Sequence, residues 1–209
     1  MQENDKATPM STTPKLDEAF SECQYTIRQK VFKFLGRAFH IYTQDGECKF
    51  YSKQKAFKLK EDIRIYSDET KSKELLVIKA RNVIDFGATY DVIDPNRDNE
   101  AVGSLRRKGM KSIVVDEWLI LDAAGEEIGK IKEDNIGLAI LRRLVVGWLL
   151  PQVYTGSCGD DTTCTFTRNF NPFVSKIRLD FSMDQSGQLD RRLGLSAAIL
   201  LVAIDKKQS

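Results

Sequence analysis

The sequence predicts a mainly β domain of the α+β type, in which antiparallel hairpins close around a buried, hydrophobic C-terminal helix. Three observations predict it. A strand–turn–strand pattern recurs four times between Phe39 and Ile131. No long helical pattern separates those strands, so the units are hairpins and not βαβ crossovers. The chain then ends in an uncharged apolar run, Leu193 to Ile204.

Residues 1–21 hold Pro9, Pro14 and clustered Ser and Thr with few large apolar groups. Such a segment buries too little surface to offset its ordering entropy, so a disordered tail is expected there and a folded domain over 22–209. Tyr25, Ile27 and Val31 share one parity and Phe32 and Phe34 the other, which reads as a strand broken by a bulge. Phe39 and Ile41 alternate with His40 and Tyr42, turn at Asp45-Gly46, and return through Cys48 to Tyr51. Ile63–Tyr66 turns at Ser67-Asp68 and returns as Leu75–Ile78. Tyr90–Ile93 turns near Asp94-Pro95-Asn96 and returns through Val102 to Leu105. Trp118–Leu121 turns over Asp122 to Gly125 and returns as Ile128–Ile131.

The run from Ile136 to Leu150 lacks a turn residue before Pro151 and reads as a helix. Its Arg142-Arg143 pair points either to solvent or, with Trp148, to a membrane interface. Two strands follow, one with Cys164, Phe166 and Phe170 on a face, the other with Phe173, Ile177, Leu179 and Phe181. Asp190 is a natural N-cap for the final helix, expected over about Leu189 to Lys206. A helix apolar on all sides lies in lipid or in protein. Its uncharged stretch of about 12 residues falls short of the roughly 20 that cross a bilayer, so it is placed inside the sheet.

Charge sets limits on function. The chain carries 32 Lys and Arg against 30 Asp and Glu, a formal +2, so no global field attracts nucleic acid and anion binding must come from a local patch. The N-terminus shows no basic segment followed by an apolar core, which places the protein in the cytoplasm or peripherally at a membrane surface. Free thiols are then expected at Cys158 and Cys164, although the two could face one another across a hairpin. The one histidine, His40, has no nucleophile context and reads as a surface strand residue. No phosphate loop, dinucleotide fingerprint or zinc spacing occurs, so the expectation is a protein without enzymatic activity, metal or cofactor. Asp180, Asp184 and Asp190 do not match a calcium loop and read as a turn leading into an N-cap.

Arg106, Arg107, Lys108 and Lys111 concentrate positive charge at a strand end. With Arg142 and Arg143 they form the candidate site for anionic lipid headgroups. Arg191-Arg192 opens a helix where the dipole disfavours cations, so a partner is required: Asp180 and Asp184, or a bound anion.

Three stretches carry a family likeness: YTIRQKVFKFLGRAFHIYTQDGECKFYSKQKAF, WLILDAAGEEIGKIKED, and NFNPFVSKIRLDFS followed by LDRRLGLSAAILLVAI. Over about residues 22–207 the chain resembles the tubby C-terminal-like superfamily, which includes LURP-one-related proteins and phospholipid scramblases. The resemblance implies a closed barrel of about 12 strands threaded by the C-terminal helix. It also implies a module that binds phosphoinositides or other anionic lipids. Two alternatives stand beside that function: a structural or protein-interaction domain, and a scramblase-like membrane-associated protein. The chain lacks the proline-rich tail and cysteine cluster of scramblases. A carrier of apolar ligands conflicts with a helix that fills the barrel.

Overall fold

The computed structural model describes residues 18–32, 36–54, 62–82, 87–108, 117–134, 152–169 and 175–204. Twelve strands form one closed barrel. They are β1 (Gln24–Phe32), β2 (Gly36–Thr43), β3 (Cys48–Gln54), β4 (Ile63–Tyr66), β5 (Glu74–Asn82) and β6 (Thr89–Asp94). Then come β7 (Glu100–Arg107), β8 (Glu117–Leu121), β9 (Glu127–Glu133), β10 (Gln152–Cys158), β11 (Asp161–Asn169) and β12 (Ser175–Asp180). Each strand pairs antiparallel with its successor, and β12 closes on β1 with Ile27 opposite Ile177. Closure leaves no open edge among these strands.

The alternation of each strand decides what faces inward. In β1, Tyr25 and Ile27 are buried, while Thr26 and Arg28 point out. In β12, Ile177 and Leu179 are buried between Lys176, Arg178 and Asp180. Helix α1 (Arg191–Ile204) is buried along its length from Arg192 to Ala203, against β12, β7, β1 and β6. Its side chains join the inward residues of all the strands in one core.

Both helix ends are tied down. Asp190 Oδ1 accepts from Arg192 N at 2.8 Å, as an N-cap should. At the far end Arg37 Nη1 donates to the Ala203 carbonyl at 2.6 Å, placing a cation at the negative end of the dipole. Gly194 lets the first turn lie directly on Phe181: a Cβ there would fall well inside contact with the ring carbons Cζ and Cε1.

Four expectations are corrected. The parity change after Val31 marks the end of β1, which pairs with β2 as a hairpin through Phe32 opposite Gly36, and no bulge interrupts it. A further strand, β10, lies in the segment QVYTGSC that the pattern missed, because Thr155, Gly156 and Ser157 dilute its alternation. Cys158 and Cys164 do not oppose one another: Cys164 faces Gly156, and a register shift follows at Ser157. Both are buried free thiols, as are the exposed Cys23 and Cys48 free. His40 is buried and not a surface residue. The expected helix over 136–150 and most of the expected tail lie outside the described residues.

Candidate functional site

The basic strand end sits where β7 leaves the barrel. Leu105 faces the core, Arg106 projects outward and is exposed, and Arg107 turns back toward the rim. There the Arg107 guanidinium carbon lies 6.0 Å from the centre of the Trp118 ring, a cation–π contact that holds the charge at the end of the barrel. Lys108 Nζ is 2.9 Å from Glu117 Oε1, and this hydrogen bond raises the lysine pKa. Glu117 also lies 3.9 Å from Lys132. The rim is therefore partly neutralised, while Arg106 is exposed. Lys111, Arg142 and Arg143 lie outside the described residues.

A second basic surface lies around the barrel, across β11, β12 and β1. Residues of these strands and of the β2–β3 turn form a groove of about 290 Å³, lined by Gln24, Tyr25, Thr26, Gln44, Thr167, Lys176 and Arg178. Antiparallel register builds it: Arg178 stands opposite Thr26 on one side and Thr167 on the other, and Lys176 stands opposite Arg28. Arg178 Nη2 donates to Gln24 Oε1 at 2.5 Å, and Gln24 Nε2 donates to Asp180 Oδ2 at 2.8 Å. The other oxygen of Asp180 accepts from Ser182 N and Ser182 Oγ. Among the described residues no carboxylate comes within 4.0 Å of Arg28, Lys176 or Arg178. Three cations elsewhere on the wall are paired: Arg64 with Glu74, Arg81 with Asp91, Arg97 with Glu100.

This groove escaped the sequence because Gln24 and Arg178 are 154 positions apart. The only local signal was the alternation of Lys176 and Arg178 with Ile177 and Leu179, which is common on any outer face.

The aspartates near the final helix are committed to the backbone. Asp184 accepts from Gln188 N and Leu189 N, and Asp190 caps the helix. The cation pair that opens the helix finds protein partners. Arg192 binds Asp190 and, at 2.8 Å, Asp94, with Glu100 at 3.7 Å. Arg191 stacks 4.2 Å over the centre of Phe181 and reaches the carbonyl of Asp184, not its carboxylate. Asp180 pairs with neither.

His40 lies on the outer face beneath the β4–β5 turn. Its Nε2 meets Glu69 Oε1 at 2.7 Å, and its ring packs edge-on to Tyr51 at 5.2 Å. Among the described residues no cysteine, serine or threonine side chain hydrogen-bonds to it. Among the described residues no group of His, Cys, Asp or Glu could hold a metal ion. Nor, among them, is any helix long and apolar enough to cross a membrane.

Compared with known families, residues 48–143 match the family model described as LURP-one-related. No curated protein matches the chain.

Proposed function

We propose that this chain, whose residues 48–143 match the LURP-one-related family model, is a non-enzymatic module of the tubby-like superfamily that attaches peripherally to anionic lipid headgroups, phosphoinositides included. The observation that carries this reading is the basic end of β7. Arg106 is exposed there, Arg107 is held at the rim by Trp118, and Lys108 stands next to them. Lys111, Arg142 and Arg143 are proposed to extend the same surface.

Charge placed this way attracts a negatively charged surface without insertion. Each Lys or Arg near such a surface contributes about 1 kcal/mol, so a few give weak, reversible attachment. Glu117 lowers the contribution of Lys108 unless the lysine exchanges it for a phosphate. Exposed charges are screened over about 8 Å at physiological ionic strength, so attachment weakens as salt rises. The filled barrel favours a surface role over a carrier role, since α1 occupies the interior.

Liposome co-sedimentation tests the proposal. The native protein should bind vesicles that contain phosphoinositide at low salt and release them at high salt. Arg106→Glu, Arg107→Glu and Lys108→Glu together should abolish binding. Equal binding by the charge-reversed protein would remove the rim, and no binding by the native protein would favour a protein-interaction domain.

A further inference from the structure

The spacing of the two cations in the groove across β11, β12 and β1 restricts what it can hold. Lys176 and Arg178 are two residues apart on the outer face of β12, so their attachment points lie about 7 Å apart along the strand. Arg178 leans away from Lys176. Its Nη2 donates to Oε1 of Gln24, which stands in the row of Asp180, two residues further along β12. Asp180 spends one oxygen on Gln24 and the other on Ser182, and it lies beyond 4.0 Å from the guanidinium. Gln24 thus fixes Arg178 through one nitrogen and leaves the rest of its fork for a second acceptor. Thr26 and Thr167 flank Arg178 in one row, and Gln44 lines the same space. Arg28, opposite Lys176, is turned over the Tyr42 ring at 5.0 Å and lies outside the groove.

A single compact anion is held best where cations converge. These two diverge along the strand, so they match two separate acceptors, one for each. The same spacing is the two-residue repeat of an extended peptide, whose alternate side chains lie on one face. β12 is already hydrogen-bonded to β1 on one side and to β11 on the other, so a peptide cannot join the sheet as a further strand. It has to be read through its side chains.

We infer that the groove docks an extended acidic segment of a partner protein, with carboxylates at alternate positions. One carboxylate meets Lys176. The other meets the open N–H groups of Arg178, with hydroxyl hydrogen bonds from Thr26 and Thr167. Gln24 is a positioning residue, since it acts through Arg178. A volume of about 290 Å³ admits the ends of two acidic side chains and is too small for a folded element. The chain as a whole carries a formal charge of +2, so the attraction is local to this groove. The site stands whether or not the β7 rim holds lipid.

Fluorescence anisotropy of the full chain with labelled synthetic peptides tests the inference. The peptides share a Gly-Ser frame and carry Glu-Thr-Glu, an adjacent Glu-Glu pair, or Gln-Thr-Gln. At low salt the native protein should bind the Glu-Thr-Glu peptide, hold the adjacent pair more weakly, and ignore the amide peptide. Lys176→Gln with Arg178→Gln should weaken Glu-Thr-Glu binding at least about tenfold, as expected for lost charge-assisted hydrogen bonds. Both changes are on outward side chains, and circular dichroism checks the fold. Lys176→Glu with Arg178→Glu should instead take a Lys-Thr-Lys peptide, which the native protein should refuse. The rim reversal Arg106→Glu, Arg107→Glu and Lys108→Glu should leave peptide affinity unchanged, so a failure of lipid attachment and a failure of this site are read separately. Unchanged affinity in the groove variants, or no peptide binding by the native protein, overturns the site. Equal binding of the two glutamate peptides overturns the matched spacing. Inositol trisphosphate that binds more tightly than the Glu-Thr-Glu peptide and displaces it would assign the groove to a phosphate and overturn the inference.

Discussion

At the scale of single residues, burial sets the chemistry of the thiols and phenols. Cys164 is fully enclosed beside Gly156, and burial pushes its thiol up to about 12 from an ordinary 9.0. Cys158 moves the same way for the same reason. Tyr25 and Tyr90 are also raised by burial, and Tyr25 donates its proton to the Ala19 carbonyl at 2.7 Å. Each of these groups keeps its proton in the folded state at a pH where the unfolded chain loses it. Their stabilising effect is therefore complete below pH 9 and is lost as pH rises from 9 toward 12. Thermal melts should be flat from pH 7 to 8.5 and then fall. In Cys164→Ala the loss between pH 8 and pH 10 should be smaller by about 1 kcal/mol, since one pH unit corresponds to about 1.4 kcal/mol per proton. An identical pH slope in the variant would show that Cys164 does not titrate in this window. Below pH 8.5 a thiol reagent should label Cys23 and Cys48 and spare Cys158 and Cys164.

At the scale of elements, the contact between α1 and the barrel wall depends on a missing side chain. Alanine at an exposed helical position stabilises by about 1 kcal/mol relative to glycine. At position 194 the added methyl meets Phe181, itself in the core, so the ring or the helix has to shift. Overpacking of that kind costs about 1–3 kcal/mol and outweighs the propensity gain. Gly194→Ala should lower the stability measured by urea unfolding by about 1 kcal/mol. The same change in a Phe181→Leu background should cost less, because the two sites are in contact. A stabilised Gly194→Ala protein would mean that helix propensity decides at this position.

At the scale of the whole molecule, one buried ion pair joins the helix to a distant turn. Arg192 and Asp94 are 98 positions apart and both are nearly inaccessible. Removing the cation strands a buried carboxylate, and breaking such a pair costs about 3–5 kcal/mol. Arg192→Ala should therefore lower the unfolding free energy by that amount. Arg192→Met combined with Asp94→Asn should recover part of it, because the amide still accepts from Asn96 N as Asp94 does at 2.9 Å. A double variant no better than the single would mean that Arg192 acts mainly through Asp190 and Glu100. On this scale too, three strands of barrel wall, β8 to β10, lie between the basic rim on β7 and the near edge of the basic groove on β11.

Local pattern was enough for the hairpins from Phe39 to Ile131 and for the final helix, because alternation and an unbroken apolar run are properties of neighbouring residues. The helix boundary followed from Asp190, whose carboxylate caps it. The resemblance over much of the chain added barrel closure, which the β1–β12 register shows. Tertiary structure alone decided that β10 is a strand, that His40 is covered by Glu69, and that Arg192 is neutralised by Asp94 in place of Asp180 and Asp184. It also gathered Gln24, Lys176 and Arg178 into one groove. These features depend on which strands become neighbours and on what a turn folds over, and those are set by closure of the whole sheet, not by local sequence.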